Sequence, residues 1–159
     1  MEGSGQKDED LNTKSKKDEV TKYFIKEIDI IQSIINRMAN NSFLIKGWTI
    51  TLVVGSLLLK SEPRMAWIAI IPIIGFWGLD AYFLRQERLY RKLYAWVIEN
   101  RLSRNDYLLS MDTIRFKDTV DSSIRMMFSK TLFMFYGAIL VLTIVYIILI
   151  SDISIVIQW

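Results

Sequence analysis

The sequence predicts an all-α membrane protein whose first two of three transmembrane helices form a long helical hairpin that extends into the cytosol. Three blocks, residues 43–60, 65–84 and 130–150, carry very few charges. Each is long enough to cross a bilayer, which takes about 20 apolar residues. The first two blocks are joined by KSEPR, a short polar turn whose proline stops a helix. Apolar stripes at helical spacing continue beyond the two blocks on their polar sides.

Composition restricts the chemistry that this chain can perform. Of its 159 residues 52% are hydrophobic, and it contains neither cysteine nor histidine. Disulfides, thiol or histidine catalysis and ordinary zinc sites are therefore excluded. Three crossings leave roughly 100 residues, too few for a separate enzyme domain with a large core. We expect no catalytic residues, no cofactor, no metal site and no enzymatic activity.

Residues 1–19 are rich in Lys, Asp, Glu, Ser and Gly and lack the apolar stretch of a secretory signal. This composition predicts a disordered cytosolic tail. Because its charges are of both signs, the tail is a poor candidate for a nucleic-acid-binding arm, and we expect no nucleic-acid partner.

The hairpin is predicted over residues 20–103, and its extramembrane part carries two apolar stripes. The stripes repeat at intervals of three and four residues, as in an antiparallel coiled coil. Their members are Phe24, Ile28, Ile31 and Ile35 before the first block and Leu89, Leu93 and Val97 after the second. Counting from a turn centred on Glu62 places Ile35 level with Leu89 and Ile31 level with Leu93. The alternative is two separate amphipathic helices on the membrane surface, and residues 40–42, NNS, could break the first helix.

Lys46 and Asp80 are the isolated charges inside the first and second apolar blocks. Ionisable groups at membrane depth are costly and usually have a partner or a function. The two lie at similar distances from the turn, so we predict a Lys46–Asp80 contact, within the hairpin or between subunits. A role in an ion or proton path, or pairing of Asp80 with Arg85 or Arg88, is the alternative.

Small residues recur every four positions in the first block, a pattern that allows close approach of helix backbones. The predicted helix-packing residues are Gly47, Thr51 and Gly55, with Gly75 and Gly78 on the second block. The pattern serves either closure of the hairpin or self-association.

Residues 104–129 form the cytosolic connecting segment, in which residues 118–128 have the pattern of an amphipathic helix. Residues 130–159 comprise the third transmembrane helix and a short external C-terminus. Seven Lys and Arg residues precede the first block and ten lie between residues 85 and 130, against two in the turn. The positive-inside rule then places the N-terminus in the cytosol and the C-terminus outside. The basic flank would face anionic lipid headgroups.

Three segments carry a family resemblance: residues 41–52 (NSFLIKGWTITL), 78–94 (GLDAYFLRQERLYRKLY) and 129–137 (SKTLFMFYG). This pattern resembles the RipA-like family of oligomeric bacterial membrane proteins. Its layout is also similar to SLATT domains, two-helix membrane modules of bacterial conflict systems, although a third span departs from that plan. The resemblance implies a homo-oligomer and, in the SLATT case, a membrane-perturbing effector switched on by a partner or a nucleotide-linked signal.

Two functions are expected from these features. The first is a non-enzymatic, homo-oligomeric protein of the bacterial inner membrane with a cytosolic helical stalk, acting in membrane assembly or envelope maintenance. The alternative is a pore-forming or membrane-disrupting effector of an anti-phage system. The expected partners are further copies of the chain, the lipid bilayer, and an unidentified cytosolic protein or signal. A transporter is disfavoured because the chain lacks inverted repeats.

Overall fold

The computed structural model describes residues 3–58, 67–101 and 108–157, and every regular element in these ranges is a helix. Three of the helices are long and apolar enough to cross a membrane. The elements are α1 (Gly3–Leu58), α2 (Ile70–Asn100), a 3-10 turn (Ile114–Thr119), α3 (Ser123–Met127) and α4 (Lys130–Ile157). At 1.5 Å per residue α1 is about 84 Å long. The predicted KSEPR turn lies outside the described residues.

The N-terminal segment differs from the sequence prediction, because α1 begins at Gly3 and residues 3–19 are helical rather than disordered. The segment contains no proline and is rich in Lys and Glu, which favour helix. Lys14, Asp18 and Lys22 are also spaced four apart, which places opposite charges next to each other on a helix. The helix therefore extends from the predicted stalk without a break.

The predicted interruption at residues 40–42 is absent, and α1 runs through them as one helix. α2 lies antiparallel to α1, because Glu27 binds Arg101 and Lys46 binds Asp80. Between these two contacts the helices bury a shared cluster of Ile31, Ile35, Leu93 and Val97, with Phe24, Ile28 and Trp96 packed against it. Both apolar stripes thus face each other.

The register of the two helices differs from the one counted from Glu62. That count places Glu27 opposite Val97, whereas Glu27 pairs with Arg101, one helical turn further. α1 ends at Leu58, four residues before Glu62, and α2 begins at Ile70, eight residues after it. The described helix ends are therefore not symmetric about Glu62. Residues that lie side by side on α1 and α2 are equally far from a position later in the chain than Glu62. Leu89, predicted beside Ile35, is buried but lies outside their cluster.

The connecting segment contains less helix than its pattern predicts. Residues 118–128 divide into the end of the 3-10 turn, an extended Val120 and the five-residue α3. Ser122 caps α3, since its hydroxyl accepts a hydrogen bond from the Arg125 backbone N–H. Met126 is the buried residue of α3, whereas Ile124 is 72% exposed.

α4 packs on α2 and α3, and it continues to Ile157, beyond the predicted span. Residues 151–157 contain one charge and no proline or glycine, so nothing in them stops the helix. The cluster that joins α4 to α2 buries Ile73, Ala81, Leu132 and Tyr136. α2 is thus the central helix, with α1 and α4 against it.

Candidate functional site around Asp80

Asp80 on α2 is fully buried and lies where α1, α2 and α4 meet. α1 contributes Ser42 and Lys46, which are one helical turn apart and so project from the same face. α4 contributes Tyr136, which is also fully buried. Each of these residues is polar within a largely apolar stretch, so the fold gathers them around a single carboxylate.

Asp80 accepts hydrogen bonds from three side chains on two neighbouring helices. Lys46 Nζ lies 2.6 Å from Asp80 Oδ2, and Tyr136 Oη donates to the same oxygen at 3.1 Å. Ser42 Oγ donates to Asp80 Oδ1. Both carboxylate oxygens are therefore bonded, which a buried charge requires because it has lost its water.

Lys46 donates to two acceptors in this cluster, Asp80 Oδ2 and Ser42 Oγ. Its Nζ also donates to Ser42 Oγ at 2.8 Å, and its side chain remains 21% exposed. The ammonium thus sits at the rim of the cluster, with the carboxylate inside. The pair is neutral overall, which lowers the cost of holding Asp80 away from solvent.

Aromatic rings close the cluster on the α4 side. The Tyr136 ring stacks on Trp77 with centroids 5.7 Å apart and an angle of 8° between the planes. Trp77 Nε1 donates to the backbone carbonyl of Met127 at 2.9 Å, which ties α3 to α2. Lys46 Nζ lies 5.9 Å from the Phe135 ring centroid, within cation–π range. The rings shield the ion pair and fix the position of α4.

The contacts of Asp80 join three helices through one carboxylate. Asp80 is 0% exposed and its oxygens are already occupied by Ser42, Lys46 and Tyr136. The arrangement holds three helices at one level.

The alternative partners of Asp80 lie elsewhere. Arg85 Nε donates to the backbone carbonyl of Asp121 at 3.1 Å. Arg88 lines a separate groove between α2 and the connecting segment. Neither arginine therefore forms the contact with Asp80 that the sequence left open.

The glycines of the two apolar blocks make no close contact with the other described parts of the chain. Beyond its chain neighbours and its own helix backbone, a Cβ added at Gly47, Gly55, Gly75 or Gly78 would meet no described heavy atom within 4 Å. Thr51 is exposed, and its hydroxyl donates to the Gly47 carbonyl of its own helix. Among the described residues, closure of the α1–α2 pair does not use these glycines as points of close approach.

A second buried ion pair, Glu27 with Arg101, lies among the stripe residues and was missed by sequence reasoning. Both side chains are at most 1% exposed, and two hydrogen bonds of 2.5 and 2.6 Å join them. A signal was present in the sequence. Arg101 follows Val97 by four residues, and Glu27 lies between Phe24 and Ile31 on the apolar face. A charge on such a face needs a partner of opposite sign.

Ser42 and Tyr136 were also missed as members of the Asp80 cluster. Ser42 precedes Lys46 by four residues, a spacing that indicates a shared face. Tyr136 carries no comparable signal, because nothing in the sequence tells which face of α4 meets α2.

Comparisons with protein-family models, with curated proteins and with solved structures give no match. The resemblance to RipA-like proteins and SLATT domains therefore stays a prediction. The three segments that carry it converge in space, because residues 41–52 contain Ser42 and Lys46, residues 78–94 contain Asp80, and residues 129–137 contain Tyr136.

Proposed function

We propose that this chain is a non-enzymatic, homo-oligomeric protein of the bacterial inner membrane that acts in membrane assembly or envelope maintenance. Its α1–α2 pair forms a hairpin that crosses the bilayer and continues into the cytosol as a rigid stalk. The observation that carries the proposal is the pairing of α1 and α2 at two buried ion pairs. These contacts, Glu27–Arg101 and Lys46–Asp80, are 19 residues apart on α1, or about 28 Å.

The outward surfaces of the apolar blocks support insertion into lipid. Large apolar side chains are exposed there on all three helices. Contact of such a surface with water is unfavourable, whereas contact with lipid hydrocarbon is favourable. They include Phe43 (74%), Leu58 (77%), Ile71 (70%), Val141 (59%) and Leu142 (68%). The hydroxyls of Thr51 and Ser56 on this surface donate to carbonyls of their own helix, which satisfies them without water.

The unpartnered face of α1 supports self-association. Gly47 and Thr51 are exposed on it, beside Phe43. Small residues between larger apolar ones allow two membrane helices to approach closely. Since α4 packs on α2 rather than on this face, the face is open to a second copy of the chain.

A further apolar patch lies near the cytosolic end of the stalk. Val20, Tyr23 and Leu108 are 38%, 47% and 44% exposed, and they line a groove of about 310 Å³ together with Lys16 and Glu19. Along α1, this patch is separated from the predicted outer turn by more than 30 residues, which belong to the stalk and the span. It supports stalk-to-stalk contact or docking of a cytosolic partner.

Two measurements test the proposal. The mass of the detergent-purified chain gives the subunit number, and we expect more than one copy; a strict monomer contradicts the proposal. The absence of native cysteine allows single-cysteine labelling in intact cells. We expect Glu62→Cys to react from outside and Glu99→Cys to react only after permeabilisation. Labelling of both from the same side would remove the hairpin topology.

The pore-forming effector is the alternative proposal, and expression in cells separates the two. A pore needs a continuous polar stripe along helices that line it. The hydroxyls of Thr51 and Ser56 on α1 already donate to backbone carbonyls of their own helix, so they are not free to line a pore. This favours the non-enzymatic membrane protein proposed first. Loss of membrane potential on induced expression would favour the effector, whereas an unchanged potential at matched expression favours the scaffold.

A further inference from the structure

The groove between α2 and the connecting segment carries a cluster of cations outside the Asp80 site. It has a volume of about 420 Å³ and is lined by Arg88, Arg91, Lys92 and Ala95 of α2 and by residues of the segment 119–126. The four α2 residues follow the spacing i, i+3, i+4 and i+7, so they share one helix face. Val120 and Met126 form the apolar part of the opposite wall.

The acidic residues near this groove are already neutralised. Glu87 pairs with Arg91 at 2.8 Å, and Asp121 pairs with Arg125 at 2.6 Å. Arg88 and Lys92 are exposed, and neither makes an ion pair or side-chain hydrogen bond with another residue that the structure describes. The groove therefore presents two uncompensated cations to whatever occupies it.

The groove lies at a defined depth relative to the predicted span. Arg88 and Lys92 follow its end at residue 84 by four and eight residues, or about 6 and 12 Å along α2. The headgroup layer is about 5–8 Å thick on each side of the hydrocarbon. The segment that contains α3 reaches the level of the predicted span, because Phe128, which directly follows α3, contacts the Trp77 ring at 6.2 Å and is 64% exposed. Arg88 is thus level with lipid phosphates, and Lys92 lies one helical turn beyond them, within reach of its four-carbon side chain.

We infer that this groove is a binding site for a phosphate-bearing anion, the headgroup of an anionic phospholipid, held by Arg88 and Lys92. The guanidinium of Arg88 presents a planar fork that matches two phosphate oxygens, and Lys92 adds a second charge. The apolar wall suits the glycerol and first methylenes of a lipid. The assignment of the phosphate to a lipid rests on the membrane insertion proposed above. The assignment of a phosphate-bearing anion to Arg88 and Lys92 does not depend on it.

The site is tested on the full-length detergent-purified chain by native mass spectrometry with added phosphatidylglycerol. Phosphatidylcholine, a zwitterion whose phosphate is balanced by its own ammonium, is the comparison without net charge. The test variant is the double change Arg88→Gln and Lys92→Gln, which removes no contact seen within the described chain. Lys14→Gln with Lys17→Gln is the matched control, because it removes the same charge from exposed positions of α1. We expect phosphatidylglycerol binding at least ~10-fold weaker in the groove variant and unchanged in the control.

A second variant, Ala95→Glu, places a carboxylate in the exposed groove lining while leaving both cations present, and we expect the same loss. Equal loss in the groove variant and the control, or no loss in the groove variant, would overturn the inference. Pyrophosphate is the soluble probe. If it binds with the same dependence on Arg88 and Lys92 while cysteine labelling shows no membrane crossing, the phosphate site stands and the membrane proposal fails. Binding of phosphatidylcholine as tight as that of phosphatidylglycerol overturns the anion site but leaves the topology intact.

Discussion

Glu27 of α1 and Arg101 at the end of α2 form a bidentate ion pair. Arg101 Nη2 lies 2.5 Å from Glu27 Oε1, and Arg101 Nε lies 2.6 Å from Glu27 Oε2. The two residues are 74 positions apart in the chain, and both side chains are buried. This pair closes the cytosolic end of the proposed stalk, in the same way that Lys46 and Asp80 hold its other end. The two pairs set the register of α1 against α2.

Arg101→Met is expected to lower the free energy of unfolding by about 3–5 kcal/mol, because it leaves the Glu27 carboxylate buried without a partner. Adding Glu27→Met should restore most of the loss, since two apolar side chains suit the stripe of Ile31 and Val97. Unfolding in mixed detergent micelles measures both. The exposed pair Glu87–Arg91 is the control, and Arg91→Met should cost less than about 0.5 kcal/mol. If the double variant is no better than Arg101→Met alone, the pair is not the cause of the loss.

Lys46→Met is expected to destabilise the protein more than Asp80→Asn. The first change leaves the fully buried Asp80 charge uncompensated, at a cost of about 3–5 kcal/mol. The second leaves Lys46, which is 21% exposed and long enough to reach solvent or headgroups. The double variant should recover part of the Lys46→Met loss, so a double-mutant cycle gives a coupling of about 1–3 kcal/mol. Additive effects of the two changes would contradict the pairing.

Tyr136→Phe tests how α4 is tied to Asp80. The substitution removes the hydroxyl that donates to Asp80 Oδ2 but keeps the ring that stacks on Trp77. We expect a loss of about 1–3 kcal/mol in unfolding free energy, the usual range for a hydrogen bond to a charged group. Tyr82→Phe is the matched control, because Tyr82 is 47% exposed and its hydroxyl makes no hydrogen bond to another described residue. Equal losses in the two variants would show that the hydroxyl of Tyr136 contributes nothing specific.

Gly47→Leu combined with Thr51→Leu tests the face of α1 through which we propose that copies associate. The protomer has room for these side chains, because a Cβ at Gly47 meets nothing within 4 Å and Thr51 is exposed. Bulk at these positions should therefore reduce the subunit number without lowering the stability of the protomer. Mass measurement and thermal unfolding of the same samples separate the two effects. Gly137→Leu on α4 is the control and should leave the mass unchanged; an unchanged mass in the α1 variant instead would exclude this face.

The sequence determined the parts of the fold that depend on local composition. Apolar blocks of sufficient length with very few charges predict the three apolar helices. The stripes that include Ile31 and Leu93 predict that α1 and α2 pack together. The Lys46–Asp80 proximity also followed from counting along two antiparallel helices, because an error of a few residues changes the level by only one turn. Helix in residues 3–19 was not predicted, since mixed charge is typical of both a disordered tail and a solvated helix.

Tertiary structure decided which faces meet and at what register. The pairing of Glu27 with Arg101 depends on where α1 ends and α2 begins, and a turn sequence does not specify either point to within one helical turn. The placement of Tyr136 depends on the rotation of α4 about its own axis, which an all-round apolar helix leaves unspecified. Its hydroxyl donates to Asp80 and so supplies one of the hydrogen bonds that a buried carboxylate requires. Local pattern thus sets which segments are helical, and the need to satisfy buried charges selects how those helices fit together.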